Sequence, residues 1–189
     1  MIETCFSNPA VNCSFLLFQI GETPVEINLV GAVLPLLVSL IMVTYYRKRL
    51  RWLRVAGFTF ASFLIIASIG SIIGAIYGTI SVMGWVYIIF WMLVVSWYSR
   101  LKVSRTDVWL TAGELYVIGT LGVLLDDMVR TFLGFLNVPV VGLRISPNIW
   151  GAGGPLDGIF MTGMYQVVLY LLMVIFLIRR RVTVIPVPS

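Results

Sequence analysis

The stretch WLTAGELYVIGTLGVLLDDMVR, Trp109–Arg130, decides how this chain folds. It is an apolar run of the length, about 20 residues, that an α-helix needs to cross roughly 30 Å of hydrocarbon. Gly119 and Gly122 stand seven and four residues before Asp126 and share its helical face. That face is the one best suited to close packing, so the Asp126 carboxylate is expected to point inward. Arg130 follows Asp126 by four residues and Asp127 by three, within ion-pair reach of both. Glu114, in the first half of the run, is expected to pair with a basic residue of the preceding loop.

Four further stretches have the same character: Asn28–Tyr46, Gly57–Gly78, Ile80–Tyr98 and Asp157–Ile178. The expectation is an all-α, polytopic membrane bundle of five transmembrane helices, placed as a multi-pass protein of the cell membrane. Residues 1–27 form an N-terminal segment, 28–178 the membrane domain with a loop at 131–156, and 179–189 a basic tail. Composition agrees: of 189 residues, 60% are hydrophobic and 11% charged, against about a quarter charged in soluble domains. The start MIETC lacks a basic stretch, so no cleavable leader is expected.

The charges select the orientation. Eleven of the thirteen basic residues lie in Arg47–Arg54, in Arg100–Arg105 and in Arg179–Arg181. Five spans put all three groups on one side, which the positive-inside rule makes cytoplasmic, with the N-terminus outside. Tyr45, Tyr46, Trp52, Trp97, Tyr98 and Trp109 form an aromatic belt at that boundary. The net charge of +5 is therefore read as a topology signal, and no nucleic-acid partner is expected. The partner is the lipid bilayer, with a second copy or a membrane complex as further possibilities.

The chain has no His, which excludes His-ligated haem, His-based zinc sites and serine–histidine or cysteine–histidine hydrolase chemistry. Cys5 and Cys13 are not arranged as CxxC, and a bridge between them is as plausible as two free thiols. Gly70, Gly74 and Gly78 recur every four residues and mark a smooth strip where another helix can approach.

Ionisable residues in a membrane usually face a bundle interior or a watery cavity. Asp126, Asp127, Asp157 and Asn28 fall at one depth on three spans, with Arg130 beside the first two. Asp157 follows Pro155 and also suits a helix first turn. Clustered carboxylates can share a proton or bind a hard cation such as Mg²⁺ or Ca²⁺ through oxygen. No cofactor is predicted and no metal site is assigned.

Three segments, INLVGAVLP (Ile27–Pro35), YVIGTLGVLLDD (Tyr116–Asp127) and GAGGPLDGIFMTG (Gly151–Gly163), resemble an archaeal and bacterial family of multipass membrane proteins, DUF family sixteen-fourteen. That resemblance implies roles for Asn28, Gly31, Pro35, Gly119, Gly122, Gly153, Asp157 and Gly158, and a membrane location without an assigned activity. A weaker likeness is to presenilin-type intramembrane aspartyl proteases, which place one aspartate in a helix and the next in a GxGD motif. Here two residues are inserted between glycine and Asp157, and no PAL-like segment follows. The leading expectation is a transport or membrane-complex component with an outward-facing polar, acidic site. The alternatives are an aspartyl-type or metal-assisted hydrolase using Asp126 or Asp127 with Asp157, and a purely structural subunit.

Overall fold

A computed structural model of the chain describes residues 13–20, 23–77, 93–96, 108–136, 149–151 and 158–182. The elements run β1 (Ser14–Ile20), β2 (Thr23–Asn28), a π-helical turn (Leu29–Val33), α1 (Leu34–Tyr46), α2 (Trp52–Tyr77), α3 (Val108–Phe135), β3 (Ile149–Trp150) and α4 (Gly158–Val182). A further helical stretch covers 93–96.

Two expectations are corrected. The first is the all-α class. β1 and β2 form an antiparallel hairpin, and β3 adds to β2 in parallel, Glu26 opposite Ile149 and Ile27 opposite Trp150. The alternation in TPVEIN explains β2: Val25 and Ile27 are buried while Glu26 between them is not. A period of two places those residues on one face of a strand, and a hydropathy window averages it away.

The second correction is the span count. Among the described residues three helices are long and apolar enough to cross a membrane: Leu29–Tyr46, Val108–Leu133 and Gly158–Ile175. The apolar stretch of α2 counted among the described residues, Trp52–Ser68, is shorter than these. Of the expected span Ile80–Tyr98 only 93–96 is described, and the expected hairpin around Gly78–Ser81 lies outside the described residues. The five-span count, and the orientation read from it, are replaced by these three helices in a multi-pass membrane protein.

The bundle is organised around α3. Its apolar span is 78% buried, against 22% for the α1 span and 28% for the α4 span. α1, α2 and α4 therefore surround α3 and turn much of their own surface outward. The outward residues are large and apolar, among them Leu34, Leu37 and Ile41 on α1 and Val168, Leu172 and Ile175 on α4. Those spacings draw one stripe along each helix, suited to lipid chains.

The sheet caps the end of the bundle at which α3 finishes. Phe18 stacks on Phe132 with ring centroids 6.4 Å apart and meets Trp150 edge-on at 6.0 Å. The Trp150 indole N–H donates to Thr131 Oγ1 at 3.0 Å, and that hydroxyl donates to the Asp127 carbonyl at 2.8 Å. Cys13, at the start of β1, is buried and disulfide-bonded. Cys5 lies outside the described residues.

β3 is pinned by a backbone approach that only glycine permits. Gly151 has φ of +77°, and a Cβ there would stand 2.7 Å from the Ala32 nitrogen. Facing it, a Cβ on Gly31 would collide with the Gly151 carbonyl. Gly151→Ala is expected to lower stability by at least about 1–2 kcal/mol, the cost of a left-handed backbone for a residue with a Cβ. Thermal unfolding in detergent micelles checks this, with an accompanying red shift of Trp150 emission as the indole leaves its buried seat.

Candidate functional site

Asn28 ends β2 and is fully buried. Its Oδ1 accepts from the amides of Val30 at 3.0 Å and Gly31 at 2.9 Å. This is a cap on the π-helical turn, supplying an acceptor to amides that lack a partner earlier in the chain. A carbonyl oxygen so engaged serves the backbone of its own segment.

Asp126 is 5% exposed, and Arg130 Nε donates to its Oδ2 at 2.7 Å one helical turn on. The pair is a charge-assisted hydrogen bond that keeps both groups compensated inside the bundle. Asp127 is half-buried on a neighbouring face, and its backbone carbonyl takes the Thr131 hydroxyl. Asp157 lies outside the described residues. The next residue, Gly158, opens α4 with its Cβ position 3.4 Å from Val123 Cγ1 on α3.

The glycines of α3 face different partners. A Cβ on Gly119 would come 2.6 Å from Gln166 Nε2 and 3.2 Å from the Thr162 carbonyl, both on α4. A Cβ on Gly122 would come 3.1 Å from Ser62 Cβ on α2. On α4, Gly163 answers with its Cβ position 2.5 Å from Thr120 Oγ1 and 2.9 Å from the Tyr116 ring. Gly70 and Gly74 lie within α2, and Gly78 lies outside the described residues.

These approaches gather a belt of polar side chains that sequence reasoning missed. Gly119 and Gly122 sit about halfway along the Val108–Leu133 span. At that depth Gln166 is completely buried, and neither its amide nitrogen nor its oxygen has a hydrogen-bond partner among the described residues. Thr59 Oγ1 and Ser62 Oγ on α2 are likewise buried without a partner. Thr120 Oγ1 lies beside the Tyr116 hydroxyl and forms no well-aligned hydrogen bond. Three other hydroxyls behave differently: Ser68, Thr131 and Thr162 each donate to the carbonyl four residues back. The visible signal was one amide, Gln166, inside the apolar run GMYQVVLY.

Further along α3, away from the sheet, Glu114 is 1% exposed. Tyr170 of α4 hydrogen-bonds Thr111 and lies within electrostatic reach of Glu114. Along α3, from the end away from the sheet, there thus lie Glu114 within reach of Tyr170, then Thr120 and Gly119 at the level of Gln166, then Asp126 with Arg130. Among the described residues no three His, Cys, Asp or Glu side chains come together as a metal site.

No protein-family model, characterised protein or solved structure matches the chain. The resemblances to DUF family sixteen-fourteen and to presenilin-type proteases are therefore not carried further. General polytopic membrane-helix character stands.

Packing at the seam makes a prediction with an order to it. The atom crowding Gly119 is the end of a flexible amide, whereas Gly163 faces a tyrosine ring wall. Gly163→Ala is expected to destabilise by about 1–3 kcal/mol, the range for an overfilled core, and Gly119→Ala by less. Chemical unfolding of both variants in the same detergent ranks them.

Proposed function

We propose that this chain is a membrane transport component that passes protons along the α3–α4 seam. One observation carries the reading: Gln166, at mid-membrane, is fully buried with both amide atoms lacking partners among the described residues. An amide presents two donors and an acceptor. Left unpaired in an apolar interior, each such group costs free energy on the order of a lost hydrogen bond or more. A bound water with two to four polar neighbours removes that cost, and Thr120, Thr59 and Ser62 supply hydroxyls on adjoining helices.

The groups on either side of the belt support the proton as the transported species. Glu114 and Asp126 are both buried carboxyls on α3. They stand twelve residues apart, about 18 Å along the axis. Buried carboxyls in membrane helices commonly serve proton relays. The amide does not release a proton itself; it orients the waters that hand one on. Asp127, next to Asp126 on α3, is assigned to the mouth. The hydrolase reading has less support, because Asp126 is engaged by Arg130 at 2.7 Å.

The purified chain in vesicles loaded with a pH-sensitive dye, under an imposed potassium diffusion potential, tests this. Wild type is expected to acidify the lumen faster than protein-free vesicles. Gln166→Leu and Glu114→Gln are each expected to slow that flux at least tenfold while keeping wild-type helix content by circular dichroism. Wild-type vesicles no faster than empty ones, or undiminished flux in folded Gln166→Leu, would falsify the proposal.

A further inference from the structure

A second feature lies at the other end of the bundle, where α1 finishes and α3 begins. A cavity of about 520 Å³ opens there, lined by Tyr45, Tyr46, Arg47, Lys48, Arg49 and Trp109. We propose that it binds the headgroup of an anionic phospholipid.

Its chemistry is one-sided. Among the described residues, three consecutive cations line it together with three aromatic rings, and none of these lining residues is a carboxylate. Neighbouring cations repel, and a phosphate placed between them converts that repulsion into attraction. Arg47 and Lys48 are exposed and directed to the surface. Arginine suits a phosphate through its planar fork and lysine as a point charge.

Its position selects a lipid as the source of that phosphate. Tyr46 closes the Leu29–Tyr46 span and Trp109 is the second residue of the Val108–Leu133 span. The cavity therefore straddles two helix ends where hydrocarbon gives way to headgroups. Tyr and Trp prefer that boundary, and basic pockets between spanning helices are suited to anionic headgroups. The Tyr45 and Tyr46 rings meet edge-to-face at 4.7 Å, and Trp109 is 68% exposed. This leaves apolar surface for the glycerol and upper acyl carbons. The amides of Arg49 and Leu50 donate to the Tyr46 carbonyl at 2.8 and 3.0 Å, which holds the basic residues in a turn directly after α1.

The test uses the full chain in a neutral detergent, titrated with phosphatidylglycerol, phosphatidylcholine or inorganic phosphate and read by native mass spectrometry and melting temperature. Wild type is expected to retain phosphatidylglycerol with an affinity roughly tenfold or more above phosphatidylcholine, in line with two to three cations near a lipid phosphate. Arg47→Gln with Lys48→Gln is expected to abolish that preference. The charge-conserving pair Arg47→Lys with Lys48→Arg is expected to keep it, as is Arg179→Gln with Arg180→Gln, which removes equal charge from α4. Three results would overturn the proposal: equal retention of the two lipids by wild type, an unchanged preference in the Arg47/Lys48 glutamine pair, or inorganic phosphate competing as well as the lipid. Should the glutamine pair fail to fold, loss of the preference in the Arg179/Arg180 control would overturn it independently, by showing that net charge alone governs binding.

Discussion

Everything in this bundle depends on how closely other helices can approach α3. In lipid there is little hydrophobic drive to press one helix on another, because the acyl chains are as apolar as the side chains. Association rests on backbone proximity and on polar contacts between helices. α3 provides proximity on three sides with three glycines: Gly113 toward Met42 and Tyr46 of α1, Gly122 toward Ser62 of α2, and Gly119 toward Gln166 of α4. α4 replies with Gly163 against Tyr116 and Thr120. At Gly119, Gly122 and Gly163 the neighbour takes the space a side chain would fill, Gly113 is in ordinary contact, and the sum buries one helix inside the others.

The same closeness creates the polar belt. A hydroxyl in a helix normally satisfies itself at the carbonyl one turn back, as Ser68, Thr131 and Thr162 do. Thr59, Ser62, Thr120 and Ser39 are also helical and buried, yet they do not make that bond. They keep their hydrogen-bonding capacity within the bundle. Gln166, whose amide abuts Gly119, adds a further buried group without a partner among the described residues. Polar groups confined in this way tend to act together, because in a low-dielectric interior each one's satisfaction depends on the next.

The legible parts of this structure were those that depend on near neighbours in sequence. The i, i+4 spacing of Asp126 and Arg130 brings the two together on one helix face, and the ion pair between them follows from helical geometry. The apolar run of α3 likewise declared a spanning helix without knowledge of its neighbours. The hairpin was less legible because its pairing joins Ser14 to Asn28, and its third strand of two residues arrives from position 149. No local window contains such a contact. Asn28 shows a role that a window does not reveal: a polar residue at a span boundary reads as a site, and its Oδ1 accepts from the amides of Val30 and Gly31. The span count differs because α2 offers only the shorter apolar stretch Trp52–Ser68 among the described residues, and Ile80–Tyr98 is described only at 93–96. Gln166 was readable and passed over, since a single amide alters a window average very little.

The membrane assignment does not hang on that count. In water, a helix bundle turns apolar residues inward and leaves polar ones outside. Here the pattern is reversed on the helices that surround α3. On α4, Met164, Val168, Leu172 and Ile175 face out while Thr162 and Gln166 face in. On α1, Leu34, Leu37, Leu40 and Ile41 face out while Ser39 faces in. Exposing such stripes to water would cost about 25 cal/mol per Å² of apolar surface, with no compensating polar face on either helix. Lipid removes that cost and imposes the opposite one on the interior, where every polar group must find a partner within the protein or its bound water. An inward-facing Gln166 is the residue on which that second requirement presses hardest. The solvent outside and the chemistry inside are therefore read from one and the same distribution of side chains.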